Sequence, residues 1–385
     1  MLTREDALAL DEADPLRAWR DEFVIPDASL VYLDGNSLGM TPRRTVARLQ
    51  RVLRDEWAAG LIRSWVGWLD MPQRVGDRLA PLIGAAPGEV VVHDSTTVNL
   101  YQLVDAACSL RPDRPAIAVS RTDFPTDRYV VDGISRARGL QVRGDFGDLD
   151  DVAVMVRSAV DYRTAEVVDV VAETARATAA GAIALWDLSH AAGVLAIDLG
   201  AAGVQLAVGC TYKYLNGGPG SPAFSYVARS LQATLPQPIW GWFAQADQFR
   251  MGPEFSAHGD IRSVLLGTPS ILALAAAEEG ICLTAEAGIE AIAAKAQSLT
   301  EFALELCDQL DLRSSTPRDP VRRGGHVAVH HRHAEKLVAA LAAGNVITDF
   351  RDPDIVRIGC SPLTTRFSDV FTALTALTAL AQDLR

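Results

Sequence analysis

The chain has 385 residues, 49% of them apolar and 22% charged, with a formal net charge of −12. Apolar positions dispersed among charged ones support a sizeable core and exclude a disordered chain, and the length predicts about two domains. The acidic balance excludes the basic face that a nucleic-acid partner needs, and no apolar run approaches the roughly 20 residues that span a bilayer.

The opening segment MLTREDALALDEADPLRAW is acidic and lacks the apolar stretch of a signal peptide, so the chain is read as cytoplasmic. The string VYLDGNSLGM follows, an apolar pair before the turn-forming cluster Asp34, Gly35, Asn36 and Ser37. Thr41-Pro42 predicts a helix start, with Thr41 as N-cap and Pro42 in the first helical position. Val46, Leu49, Val52, Leu53 and Trp57 give that helix an apolar face. A second helix is predicted from Met71-Pro72 to about Ile83.

From Glu89 onward, strands and helices alternate. The runs EVVVHD, AIAVSRTDF, LQVRGDF, DVAVMVRSAV, GAIALWDLS and VQLAVGCTY read as buried strands, with helices between several of them, such as 99–110 and 165–180. This predicts an α/β domain with a mostly parallel sheet covered on both faces. Beyond about Glu278 the chain is Ala- and Leu-rich and helical through Leu310, then ends in a smaller α+β segment containing HVAVH and DIVRIGC. The expected division is an N-terminal arm over 1–44, a large α/β domain over 45–280 and a small α+β domain over 281–385.

Ligands in α/β sheets bind at the carboxyl ends of the strands, and polar clusters recur there. After EVVVHD, Ser95-Thr96-Thr97-Val98-Asn99 opens a helix whose free N–H groups suit a phosphate, although Ser and Thr are also ordinary N-caps. After AIAVSRTD comes Phe124-Pro125-Thr126-Asp127, where Phe124 is either a core residue or a stacking face for a planar ring. GAIALW leads to Asp187-Leu188-Ser189-His190. A buried carboxylate there needs a positive partner such as a pyridinium nitrogen, unless the string is only a helix cap with a satisfied histidine. VQLAVGC leads to Thr211-Tyr212-Lys213 and the glycine-rich LNGGPG.

Lysine is scarce: Lys213, Lys295 and Lys336 are the only lysines among 36 Lys and Arg residues. Arginine supplies the positive charge, so a lysine at a strand end points to chemistry that guanidinium cannot do, such as Schiff-base formation. Cys108, Cys210, Cys282, Cys307 and Cys360 are odd in number and widely spaced, which supports neither a disulfide framework nor a zinc site; buried free thiols are expected. His326, His330, His331 and His333 cluster without a carboxylate or cysteine to complete a metal site, so no metal is expected.

Together the strings LDGNSLG, GLIRSW, TTVNL, FPTD, WDLSHAAG, GCTYKYLNGGPG and GWF resemble the kynureninase family, from about residue 30 to the C-terminus. The resemblance implies the fold of pyridoxal-phosphate (PLP) transferases of fold type I, with a seven-stranded type of sheet. It also implies hydrolytic cleavage of L-kynurenine, with or without ring substituents, to anthranilate and L-alanine. Lys213 would join the cofactor, Phe124 would stack on its ring and Asp187 would pair with its nitrogen. Thr96, Thr97, Ser158, Tyr212, Trp242 and Thr268 would be further cofactor contacts, with Asp127 and His190 near the ring. Arg357 would grip the substrate carboxylate, with Asn36, Ser37 and Trp65 at the substrate and Tyr212 as the acid that protonates the β-carbon. Trp242 and Thr268 would come from a second subunit, which implies a homodimer with shared active sites. Trp65 together with Thr268 would favour kynurenine over its 3-hydroxy form.

Two stretches depart from the family: VDYRTAEV lacks an expected Thr-Gly pair, and the segment 244–263, which includes His258, fits poorly. Two other classes stay open, namely another PLP enzyme of this fold, such as a desulfurase or β-lyase, and a non-catalytic binding relative. A desulfurase needs a cysteine in a mobile loop, and a non-catalytic relative would lose Arg357 or Tyr212.

Overall fold

The computed structural model describes residues 1–384. Its main sheet has seven strands in the order Val90–His93, Ala223–Val227, Leu206–Gly209, Ile183–Asp187, Val152–Ser158, Ala116–Val119 and Gln141–Arg143. Ala223–Val227 runs antiparallel to both neighbours, and the other pairings are parallel. Its sequence, AFSYV, was not among the expected strands.

Strand alternation explains how both faces are covered. Val90, Val92, Ala116, Ala118, Ala184 and Trp186 pack on one side with Met71, Val75 and Leu79 of helix Met71–Leu79 and with Leu274 and Ile281 of helix Ile271–Ala287. Val91, Ile117, Val119, Ile183, Leu185 and Val208 face the other way, against Leu100, Leu103, Val130 and Ile134 of helices Thr96–Leu110 and Pro125–Arg138. Because these strands are apolar on both faces, they read as continuous apolar runs.

A second sheet, Asp349–Arg351, Ile355–Gly359, His326–His330 and Arg313–Ser314, is antiparallel throughout. Val327, Val329, Val356 and Ile358 pack there with Leu299, Phe302, Val370 and Leu374 of helices Ile289–Gln309 and Phe367–Asp383. The N-terminal strand Val31–Tyr32 pairs in parallel with Val346–Ile347 in a separate two-stranded sheet, and a bridge from Asp34 to Gly359 ties the N-terminal segment to the four-stranded one.

Several local expectations are corrected. The first long helix begins at Arg43, with Pro42 in the N-cap position and no side-chain cap. Pro42 is extended (φ −66°, ψ 141°) and bridges to Phe23, so Thr41 uses its carbonyl to accept from Val24 N–H at 2.9 Å. That helix passes at Val52 into a π-helical stretch, Val52–Gly60. Val52 is buried, but Val46, Leu53 and Trp57 are exposed, so its apolar face is mostly uncovered in a single chain. The helix expected over 165–180 spans only Val170–Ala179, since Ala165 takes a left-handed backbone (φ 64°) in a loop closed by a Val160–Val167 bridge. Gln141–Arg143 is an exposed edge strand, and the expected run to Leu310 is two helices broken at Gly288 (φ 85°).

Candidate active site

The parallel strands Leu206–Gly209, Ile183–Asp187, Val152–Ser158 and Ala116–Val119 end at one edge of the sheet, where a cavity of about 190 Å³ opens. Thr96, Thr97, Phe124, Asp127, Ser158, Asp187, His190, Tyr212 and Lys213 line it, so nine expected site residues meet in one place. Asp94, Ser95, Thr126, Tyr162, Ser189, Gly220 and Ser221 line it too and were not singled out in these roles.

Local geometry sets each side chain. Ser95 is the N-cap (φ −114°, ψ 159°), its hydroxyl accepting from Val98 N–H at 3.3 Å. Thr96 and Thr97 therefore sit at the positive end of a 15-residue helix, with backbone N–H groups that have no partner within the helix. The lysine loop is fastened by Thr211, whose hydroxyl donates to Pro222 O and meets Ser221 Oγ, both at 2.6 Å. Gly39 N–H donates to Tyr212 O at 2.8 Å, and a Cβ on Gly39 would stand 2.4 Å from Lys213 O. Only glycine lets the N-terminal loop lie that close to the lysine.

Lys213 Nζ is 2.9 Å from His190 Nε2 and 5.9 Å from the centre of the Phe124 ring. Burial holds His190 well below the ordinary histidine range, and the charges of Lys213 and Arg357 push the same way. Its imidazole is neutral and can accept from the lysine. Phe124 is 38% exposed, and its ring meets Tyr162 edge-on at 5.2 Å and 90°. Asp187 Oδ1 accepts from Ser189 N–H at 2.9 Å and Ser189 Oγ at 2.6 Å, while Oδ2 has no protein partner. Ser158 Oγ donates to Val160 O at 2.8 Å.

Asp127 is buried with neither carboxyl oxygen partnered, and His190 Nδ1 is also unpartnered. Burial raises the Asp127 pKa well above the carboxylate range, with Asp187 and Asp123 adding to the effect. Orphaned polar atoms of this kind need a partner. A phosphorylated pyridine aldehyde supplies one, and the same cavity offers a primary amine, a second carboxylate, an aromatic face and an anion-binding helix end. The residues present therefore fit PLP.

Arg357 stands behind this wall, 1% exposed and not on the cavity surface. Its Nε donates to Asp349 Oδ1 at 2.7 Å and its Nη2 to Asp349 Oδ2, a side-on bidentate pair. Nη1 donates to Tyr162 O at 2.6 Å and Nη2 to Ser37 Oγ at 3.0 Å. In the amide orientation that matches donors to acceptors, Asn36 also accepts from Nε and Nη2 at 3.2 Å. Asn36 and Ser37 thus reach Arg357 rather than the cavity.

Trp65, Trp242 and Thr268 lie away from the cavity of this chain. Trp65 packs edge-on to Trp68 at 5.7 Å and lies 6.3 Å from Phe243, while Trp242 is 37% exposed and Thr268 is exposed. Within 244–263, His258 lies with Phe243 and Phe249 on a separate hollow. Of the clustered histidines, His326 is buried 5.8 Å from the His190 ring, and His330 Nδ1 is 3.0 Å from Asp354. No group of three or more metal-ligating side chains occurs among the described residues. Cys282 is partly buried and the other cysteines are buried.

Comparison with known proteins adds two findings. Solved structures of similar fold include an apo cysteine desulfurase from Thermococcus onnurineus NA1 (TM-score 0.81, 17% identity, covering 92% of this chain and 95% of that one). Another is a cysteine desulfurase from Escherichia coli (TM-score 0.77, 16% identity, 96% and 98%). At such identities they establish the shared fold alone. The family model of the kynureninase C-terminal domain matches residues 292–377. A kynureninase from Burkholderia pseudomallei (strain 1106a) is 43% identical over 396 aligned positions, and one from Pseudomonas fluorescens is 41% identical over the same span. Each alignment covers 98% of this chain and 95% of the relative. With identity this high along nearly the whole length, the chain belongs to the kynureninase family.

Proposed function

We propose that the chain cleaves the Cβ–Cγ bond of L-kynurenine hydrolytically to give anthranilate and L-alanine, with PLP as cofactor. The full-length match to kynureninases carries this reading. The geometry of the cavity supports it. A desulfurase reading gains nothing from the site, since no cysteine among the described residues is exposed.

Bound in the cavity, PLP supplies an electron sink for negative charge on the carbons of the substrate. Lys213 would hold it through its amine and would move the α-proton of the substrate; the 2.9 Å contact with His190 orients that amine. Asp187 keeps the ring nitrogen protonated through Oδ2, because Ser189 anchors Oδ1. Thr96 and Thr97 hold the phosphate at their helix end. Ser158 and Phe124, both lining the cavity, would contact the bound group, Phe124 by its aromatic face. Asp127, whose carboxyl burial pushes toward the protonated form, would offer a hydrogen bond to the bound group. Tyr212 delivers the proton to the β-carbon of the departing alanine; burial raises its phenol and so keeps it protonated at neutral pH. Arg357 binds the α-carboxylate.

The proposed working unit is a homodimer in which Trp242 and Thr268 complete the partner's site. In support, Leu53, Trp57, Leu61, Ile62 and Val66 form an exposed apolar stretch, an unusual surface for a lone soluble chain. A cytosolic setting accords with five free cysteines. Unsubstituted kynurenine is the proposed preferred substrate. Anthranilate fluorescence on incubation with L-kynurenine tests the reading: steady release supports it, whereas PLP-loaded protein that releases none, or that instead liberates sulfide from cysteine, rejects it.

A further inference from the structure

Arg357 has five N–H donors, and the chain itself engages most of them. The partners differ in kind. Asp349 is an ionised group that takes the Nε–Nη2 edge, whereas Ser37 Oγ and Tyr162 O are neutral. We propose that Asp349 is a positioning residue for substrate recognition, fixing the Arg357 guanidinium side-on so that its Nη1–Nη2 edge is presented to the carboxylate of the amino acid. This deepens the functional reading above and rests on it.

The geometry argues for Asp349 as the fixed partner and the neutral groups as the exchangeable ones. Releasing Asp349 would strand a carboxylate in a half-buried setting, a far larger penalty than freeing a hydroxyl or a carbonyl. Ser37 has a second engagement ready, since its hydroxyl already donates to Asp349 Oδ2 at 2.9 Å and can stay there when the substrate takes its place on Nη2. Arg351 Nη2 lies 2.9 Å from the same Asp349 oxygen, so one carboxylate is shared by two guanidinium groups. Asp34 faces the cluster from the N-terminal loop; burial and then Asp349 raise its pKa to about 6. Tyr162 joins the two halves of the site. Its carbonyl occupies Nη1, the donor the substrate carboxylate takes over, while its ring meets Phe124 edge-on at 5.2 Å, so the exchange happens beside the cofactor wall. Tyr162 lies in VDYRTAEV, one of the stretches that departs from the family pattern.

The test compares wild type and Asp349→Asn as PLP-loaded enzymes, using L-kynurenine turnover and two competitive inhibitors, an aryl γ-keto acid and its primary amide. The expected result is a KM raised about tenfold or more with kcat within about threefold, an unchanged cofactor absorbance, and weaker binding of the acid but not of the amide. A lowered or unchanged KM, or equal weakening of acid and amide, overturns the proposal, because the first makes Asp349 a competitor or bystander and the second makes it merely structural. If Asp349→Asn does not hold the cofactor, Asp349→Glu carries the same test: the charge moves by one methylene, and the same acid-selective loss is expected. Wild-type enzyme that releases no anthranilate would remove the functional reading itself, whereas an active wild type with an acid-blind variant removes only this inference.

Discussion

Lys213 and Lys295 are both inward-facing lysines, and the structure predicts opposite consequences for losing them. Lys295 Nζ lies 2.6 Å from Asp14 Oδ2, with the two side chains 6% and 5% exposed. Burial lowers the Lys295 pKa even though Asp14 pulls the other way, so desolvation outweighs the attraction and the pair as a whole stabilises the fold little. Because the folded value lies below the ordinary one, the unfolded chain binds more protons between the two, and this group's contribution is lost as pH falls through that window. Breaking the pair is another matter. Lys295→Met keeps the stem but leaves Asp14 uncompensated, which typically costs about 3–5 kcal/mol. A polar hollow lined by Asp14, Lys295 and Arg20 lets water and a second cation approach, which places the expected loss near the lower end, about 3 kcal/mol. At roughly 2 °C per kcal/mol for a long chain, Tm should fall by about 6 °C. Calorimetry of PLP-loaded protein at fixed cofactor concentration measures it, and the double change Asp14→Leu with Lys295→Met should recover most of the loss. A single variant melting within about 1 °C of wild type, or a double variant no better than the single, would show that Asp14 is not left uncompensated when Lys295 is lost.

Other outcomes follow from the site. Lys213→Ala should abolish turnover and the visible cofactor absorbance while leaving the fold intact by circular dichroism. Asp187→Asn should lower kcat by about two orders of magnitude or more, since an amide cannot hold the ring nitrogen protonated; pre-steady-state absorbance checks it. Tyr212→Phe should slow alanine formation by about 10²-fold or more while sparing α-proton exchange, which deuterium incorporation followed by NMR reports. Acid sensitivity should follow the two buried imidazoles. His190 lies well below its ordinary pKa and His326 falls to about 3, burial being the main cause for both. Their stabilising contribution is full above the ordinary histidine pKa and fades as pH falls from there. Denaturant titrations at pH 7.5 and 5.5 should show His326→Gln shrinking the stability difference between the two pH values by about 1.4 kcal/mol in total.

The sheet was readable because its strands are apolar on both faces and bounded by polar clusters, and those clusters became the cavity wall. Ala223–Val227 was missed: its run AFSYV is short and carries a serine, and it follows a turn already read as part of the lysine loop. The N-terminus of the first long helix was misread because Thr-Pro is a helix-start signal only when Pro can enter the first turn, and here Pro42 is held extended by its bridge to Phe23. Lysine scarcity pointed to Lys213, yet Lys295 is a reminder that a rare lysine can also be spent on a buried ion pair. Asp349 carried no local signal at all. It meets Arg357 across neighbouring antiparallel strands, where Asp349 and Arg357 are register partners, and that pairing arises only once the second sheet has formed.

Every role assigned to the cavity depends on the amine of Lys213 carrying the cofactor. Borohydride reduction of the PLP-loaded protein, followed by peptide mapping, locates the modified side chain directly. A pyridoxyl group on the peptide containing Tyr212-Lys213-Tyr214 is the predicted result; the label on Lys295 or Lys336, or on no lysine, would contradict it.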